Sequence, residues 1–285
     1  MSDTDAPLCL GPEPITAPLH HRLPAGTIDT HFHVFKAGAP LNTPRSYTPQ
    51  ILTIRDWLNY AQAVGIHRGV LVQPSVYGTD NSVLLEALAT RPQHLRGIVV
   101  VPPETDEKAL GNLDQLGVRG IRINLRNKGG IGLDAFTALA PKVRALGWHV
   151  QFQTGPEAIA TVSELATQHD IVAVIDHLAF MSLDDGGIDL AQLQRALDSG
   201  RVRVKISAAY RLRDTAHHDG YRAVIAQLAQ SHADHLLWGS DWPHTELFDT
   251  MPSESSIIDL SLSALPESAH ERVFVSNPTR LYWSH

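Results

Sequence analysis

Apolar, β-branched runs recur along the chain at regular intervals, separated by stretches whose apolar residues repeat at i, i+3 and i+4. The runs are TIDTHFHVF (27–35), RGVLVQPS (68–75), LRGIVVVPP (95–103), VRGIRINL (118–125), WHVQFQTG (148–155), IVAVIDHLA (171–179), VRVKISAAY (202–210) and HLLWGSDWPH (235–244). Short, mostly apolar runs of this kind suit strands covered on both faces, as in a parallel sheet. The intervening segments, from IRDWLNYAQAVG (54–65) to YRAVIAQLAQSHAD (221–234), have helical period. Several close on Gly, which tolerates the left-handed backbone of a helix end. Seven such segments alternate with the eight runs, and no Gly-x-Gly-x-x-Gly turn follows the first. The pattern predicts an α/β fold, a (β/α)8 TIM barrel over residues 27–285, in preference to an open doubly wound sheet.

Residues 1–26 break the pattern. Five prolines and several acidic residues stand where a secretory signal would need a basic start and an apolar run. They predict an extended N-terminal arm, packed either over one end of the domain or against a second subunit in a homo-oligomer. The 285-residue length fits one barrel, and 43% hydrophobic content can fill its core. A net charge of −7 offers no basic field for nucleic acid or an anionic membrane, and no run is long enough to span a bilayer. The expected partner is therefore a small molecule. The single cysteine, Cys9, cannot form an internal disulfide, which suits a reducing cytoplasm.

In a TIM barrel the reacting groups sit at the carboxyl ends of the strands. The first run carries His31 and His33, which flank Phe32 and so point to one side. The sixth carries Asp176-His177 and the eighth Ser240-Asp241-Trp242-Pro243-His244. Taken singly, each has a structural reading: His-x-His recurs by chance, Asp241 can cap a turn, and His177 can be a bonded core histidine. Together they place three histidines and a carboxylate at one end of three strands. Such a set can bind a divalent metal or polarise a carbonyl oxygen. Arg122 alternates with Asn124 in the fourth run, and Arg126 follows it. A buried guanidinium needs an anionic partner, and a substrate carboxylate is the handiest.

The segments IDTHFHVF, IDHLA and GSDWPHTE resemble the amidohydrolase superfamily. SYTP (46–49), LVQPSVYGTDNSVLLEAL (71–88), GIRINL (120–125) and NPTRLYW (277–283) are similar to its branch of 2-pyrone-4,6-dicarboxylate lactonase and related sugar-acid and muconolactone hydrolases. The resemblance implies that His31, His33 and His177 polarise a lactone carbonyl while Asp241 acts as general base. It also implies substrate contacts from Tyr47, Ser75 and Tyr77; Gln153, Tyr210, Arg211 and His244 complete the candidate wall. A packing role is the alternative for each of these. Metal-dependent members add a Lys or Glu on strand four and a His on strand five, where this chain has Arg122 and Asn124, then Gln151, Phe152, Gln153 and Thr154. No required cofactor is therefore expected; the alternative is one divalent ion, zinc, on His31, His33, His177 and Asp241. The expected activity is lactonase chemistry, a carboxylic ester hydrolysis that opens a carboxylated lactone: 2-pyrone-4,6-dicarboxylate, a muconolactone including a sulfonated one, or a sugar-acid lactone. The alternatives are lactone isomerisation by proton abstraction, and a zinc-dependent hydrolase or decarboxylase of the same superfamily.

Overall fold

The computed structural model describes residues 6–15, 19–213 and 218–284. Its strands are β1 (Ile28–Phe32), β2 (Arg68–Val72), β3 (Leu95–Val99), β4 (Val118–Asn124), β5 (His149–Gln153), β6 (Ala173–Ile175), β7 (Val202–Lys205) and β8 (Leu236–Leu237). They form one parallel sheet in sequence order. Thr30 N donates to Trp238 O at 3.1 Å and Phe32 bridges to Trp242, which closes β8 onto β1. The expected (β/α)8 barrel is present. Helices α1 (Ile54–Val64), α2 (Ser82–Thr90), α3 (Glu107–Gln115), α4 (Asp134–Ala145), α5 (Ile159–Gln168), α6 (Ile188–Asp198) and α7 (His218–His232) follow the first seven strands in turn. An eighth, α8 (Glu254–Ala264), was not in the expected set; serines interrupt its apolar rows. Two short helices, α9 (Glu267–Glu271) and α10 (Asn277–Tyr282), end the chain.

The main core lies between sheet and helices. Phe32 on β1 stacks on Trp57 of α1 with ring centroids 3.9 Å apart. Gly69 on β2 makes room for that pair, since a Cβ there would lie 2.4 Å from the Trp57 ring. A second cluster gathers Ile28, Val70, Val72 and Ile98 of the first three strands against Tyr282 of α10. Both are the dry, close-packed contacts expected of a parallel barrel.

The arm crosses the loops that follow β1 and β8. Leu8 bridges to Thr48, Cys9 N donates to Thr48 O at 2.8 Å, and Leu10 N donates to Leu247 O at 2.8 Å. Farther on, the amides of His20 and His21 donate to the Asp259 carboxylate of α8 at 3.1 and 2.8 Å. Among the described residues, no helix is long and apolar enough to cross a membrane.

Candidate active site

The site lies over the carboxyl ends of the strands. His31 and His33 face the same way, their Nε2 atoms 3.3 Å apart. His33 Nδ1 lies 2.7 Å from Val72 O. A carbonyl only accepts, so Nδ1 carries the proton and Nε2 presents a lone pair. His31 Nδ1 lies 3.2 Å from both Asp176 Oδ1, an acceptor, and Lys205 Nζ, a donor. Burial pushes the His33 and His177 imidazoles down to about 3 and about 4, and holds His31 well below its ordinary range. All three are neutral at pH 7. His33 in this tautomer is an acceptor toward the cavity and has no proton there to offer a carbonyl oxygen.

Asp241 follows the two-residue β8 and adopts a left-handed backbone, φ 62°. Its Oδ2 accepts from Arg211 Nε at 2.6 Å and from Tyr210 OH at 2.7 Å. Its Oδ1 faces His177 Nε2 at 3.5 Å and His31 Nε2 at 3.7 Å. Burial alone would raise this carboxyl, but Arg211 and the surrounding imidazoles outweigh it and hold the group well below the usual carboxylate range. One oxygen is thus fixed and the other is free to accept a proton.

Beneath this layer is a polar network that the sequence pattern did not predict. Lys205 on β7 is fully buried, with Nζ 2.9 Å from Thr30 O and 2.8 Å from Gln151 Oε1. Burial pushes its ammonium down to about 8, although Asp176 opposes that shift. Asp176 Oδ1 lies 3.4 Å from Lys205 Nζ, and Oδ2 accepts from Gln151 Nε2 at 3.0 Å. Arg122 joins the network through Asp176 Oδ2 at 3.4 Å, Gln73 O at 3.0 Å and a short hydrogen bond to Gln153 Oε1. Its buried Nε has no hydrogen-bond partner.

A narrow cavity opens above these groups. Asp241, His33, His177, Arg122, Tyr47, Ser75, Gln153 and Arg211 line it, together with Asn127, Thr245 and Glu246, which sequence reasoning missed. His31 lies just behind, and Tyr210 reaches the site through Asp241. Three other candidates stand outside the lining. Tyr77 OH accepts from Lys36 N at 3.0 Å and its ring packs by Phe35. The Arg126 guanidinium lies 4.0 Å over the Phe180 ring. His244 is held between Glu254 Oε1 at 2.8 Å and Tyr210 OH at 2.7 Å.

The donors can accommodate one ion. His31, His177 and Asp241 offer ligand atoms that all lie within 4.8 Å of one another; His33 is outside that group of three. The charges around them count the other way. Arg211 already contacts Asp241, and Lys205 sits behind His31.

The amidohydrolase family profile matches residues 28–283. This chain belongs to the amidohydrolase family. This amidohydrolase is 31% identical over 290 residues to 4-sulfomuconolactone hydrolase of Hydrogenophaga intermedia, covering 97% of this chain and 95% of the relative. It is 26% identical to D-galactarolactone isomerase of Agrobacterium fabrum over 94% of both chains. It is also similar to the crystal structure of a "probable 2-pyrone-4,6-dicarboxylic acid hydrolase" from Acinetobacter baumannii with citric acid bound. There the TM-score is 0.80 and the identity 26%, over 90% of this amidohydrolase and 99% of that chain.

Proposed function

We propose that this amidohydrolase opens the ring of a carboxylated lactone by attack of water assisted by Asp241. One observation carries the proposal: an ionised carboxylate has one oxygen fixed by Arg211 and Tyr210 and the other turned toward two imidazoles, in a cavity that also presents Arg122. The similarity to hydrolases of a sulfonated muconolactone and of a pyrone dicarboxylic acid supports the same class.

Arg122, whose side chain lines the cavity, takes the substrate carboxylate. Asp241 Oδ1 accepts a proton from the attacking water and later returns it to the departing ring oxygen. His177, bonded through Nδ1 to Ser207 Oγ at 2.8 Å, turns Nε2 toward the reacting centre and stabilises charge growing on the carbonyl oxygen. His33 orients His31.

No metal is required in this scheme, because Arg211 already balances Asp241 and because Arg122 and Lys205 make the surroundings costly for a dication. One divalent ion would otherwise be held by His31, His177 and Asp241 and would supply Lewis-acid polarisation of the carbonyl. A reducing compartment suits the chain, whose one cysteine is buried and free.

The test is a panel of carboxylated lactones, followed by acid release and by NMR in deuterated water, with and without EDTA. Ring opening that survives EDTA is expected. Deuterium uptake at the α-carbon without ring opening would instead establish an isomerase. Loss with EDTA and recovery with zinc would establish the metal-dependent reaction.

A further inference from the structure

The ionic groups that line the cavity cancel. In its wall, Arg122 and Arg211 are matched by Asp241 and Glu246; behind it, Lys205 is matched by Asp176. Guanidinium and ammonium groups therefore do not outnumber carboxylates here, and a ligand that brings two negative charges finds no surplus of them. The rest of the lining is made of neutral hydrogen-bonding groups, Tyr47, Ser75, Asn127, Gln153 and Thr245, with no aliphatic wall for a flat conjugated ring.

Glu246 is the unusual member. Its backbone is left-handed, φ 63°, a conformation that costs a non-glycine residue about 1–3 kcal/mol and recurs where function requires it. Its amide is held by Cys9 Sγ at 3.2 Å, and its carboxylate by Asn127 Nδ2 at 2.5 Å and Arg211 Nη1 at 3.7 Å. The arm, the loop after β4 and the segment after β7 thus fix a negative charge in the cavity wall. A carboxylate in that place accepts hydrogen bonds from hydroxyl groups and repels a second anion.

We propose that Glu246 is a specificity-determining residue, and that the cavity selects a hydroxylated, singly charged sugar-acid lactone over flat dianionic lactones. This rests on the lactonase proposal above and names the substrate class of the same site.

The test uses four lactones: D-galactaro-1,4-lactone (one carboxylate, hydroxyls), muconolactone (one carboxylate, no hydroxyls), D-glucono-1,5-lactone (hydroxyls, no carboxylate) and 2-pyrone-4,6-dicarboxylate (two carboxylates, flat). The galactarolactone is expected to exceed the pyrone at least about tenfold in kcat/KM. Glu246→Gln, which keeps the shape and the Asn127 contact, is expected to narrow that ratio by about tenfold, mostly through KM, with an unchanged melting temperature. A wild-type preference for the pyrone, or a ratio that Glu246→Gln leaves alone, would overturn the proposal.

Two ligands that contain no lactone keep the two proposals apart. Calorimetry of D-galacturonate against pyridine-2,4-dicarboxylate reads the charge preference without turnover. Tighter binding of galacturonate with no lactone opened would retire the lactonase and keep the selectivity; tighter binding of the pyridine dicarboxylate would retire the selectivity whatever is hydrolysed.

Discussion

From β1 to β5 the strands run five to seven residues, and between residues 28 and 153 no non-glycine residue has a left-handed backbone; from β6 to β8 the strands shrink to three, four and two residues. The loops after those short strands hold His177, Leu178, Ala179, Phe180, Ala208, Asp241, His244 and Glu246 at positive φ. Such backbone costs about 1 kcal/mol or more per residue and persists only where the surroundings impose it. The regular half supplies the anchor of the proposed mechanism: Gln73, Arg122, Gln151 and Gln153 stand on or just beyond ladders that fix the direction of every side chain. The irregular half gives up ladder bonds and gains freedom to turn Asp241 and His177 back over the mouth. Binding groups can be delivered by ordinary strands, whereas a base aimed at a bound ring needs backbone that strands do not offer.

The largest expected effect is on turnover. Asp241→Asn should lower kcat by about 10³–10⁴, while the Kd of a non-reacting carboxylate ligand stays within about threefold. Calorimetry beside single-turnover kinetics checks it; parallel loss of binding would place the anchor in the wrong half.

Lys205 ties the halves together, reaching Thr30, Gln151 and Asp176 at once. Lys205→Met leaves Asp176 buried without its lysine and should cost about 3–5 kcal/mol in urea unfolding. Near-wild-type stability would mean that the halves are held together elsewhere.

Tyr210→Phe removes one donor from Asp241 and should lower kcat by about tenfold, with little change in KM, since a hydrogen bond to a charged group is worth about 1.5–3 kcal/mol at most. A KM effect of equal size would assign Tyr210 to the anchor instead.

A further effect is on acid stability. His33 and His177 take up protons in the unfolded chain from their ordinary 6.5, but in the fold only near 3 and 4. Each therefore withdraws stability as pH falls from 6.5, at about 1.4 kcal/mol per unit. Asp29, pushed up to about 6 by burial, offsets one histidine between pH 6 and 3.8. Urea midpoints at pH 7, 5.5 and 4.5 should fall in that order, and His177→Gln should flatten the series.

The same division marks what could be read in the sequence. The regular half was legible because alternation alone places Arg122 and Asn124 on one side of β4. In the irregular half the runs at 171–179 and 235–244 overstate β6 and β8, which pair only over Ala173–Ile175 and Leu236–Leu237. Leu178, Ala179 and Phe180 turn left-handed with no glycine to announce it. Lys205 left one signal, a lysine inside VRVKIS, but its partner His31 is 174 residues away in sequence. Glu246 left none, since Asn127, which holds it, lies 119 residues away.

His31 O accepts the Asp241 amide at 2.8 Å, and His33 N donates to Trp242 O at 2.9 Å. The seam that shuts the cylinder is therefore stitched by the backbone of the residues proposed to carry the chemistry. A circular permutant reopened within this seam would lose barrel closure and catalytic alignment in one step. One reopened in the connection between α3 and β4 would test folding alone.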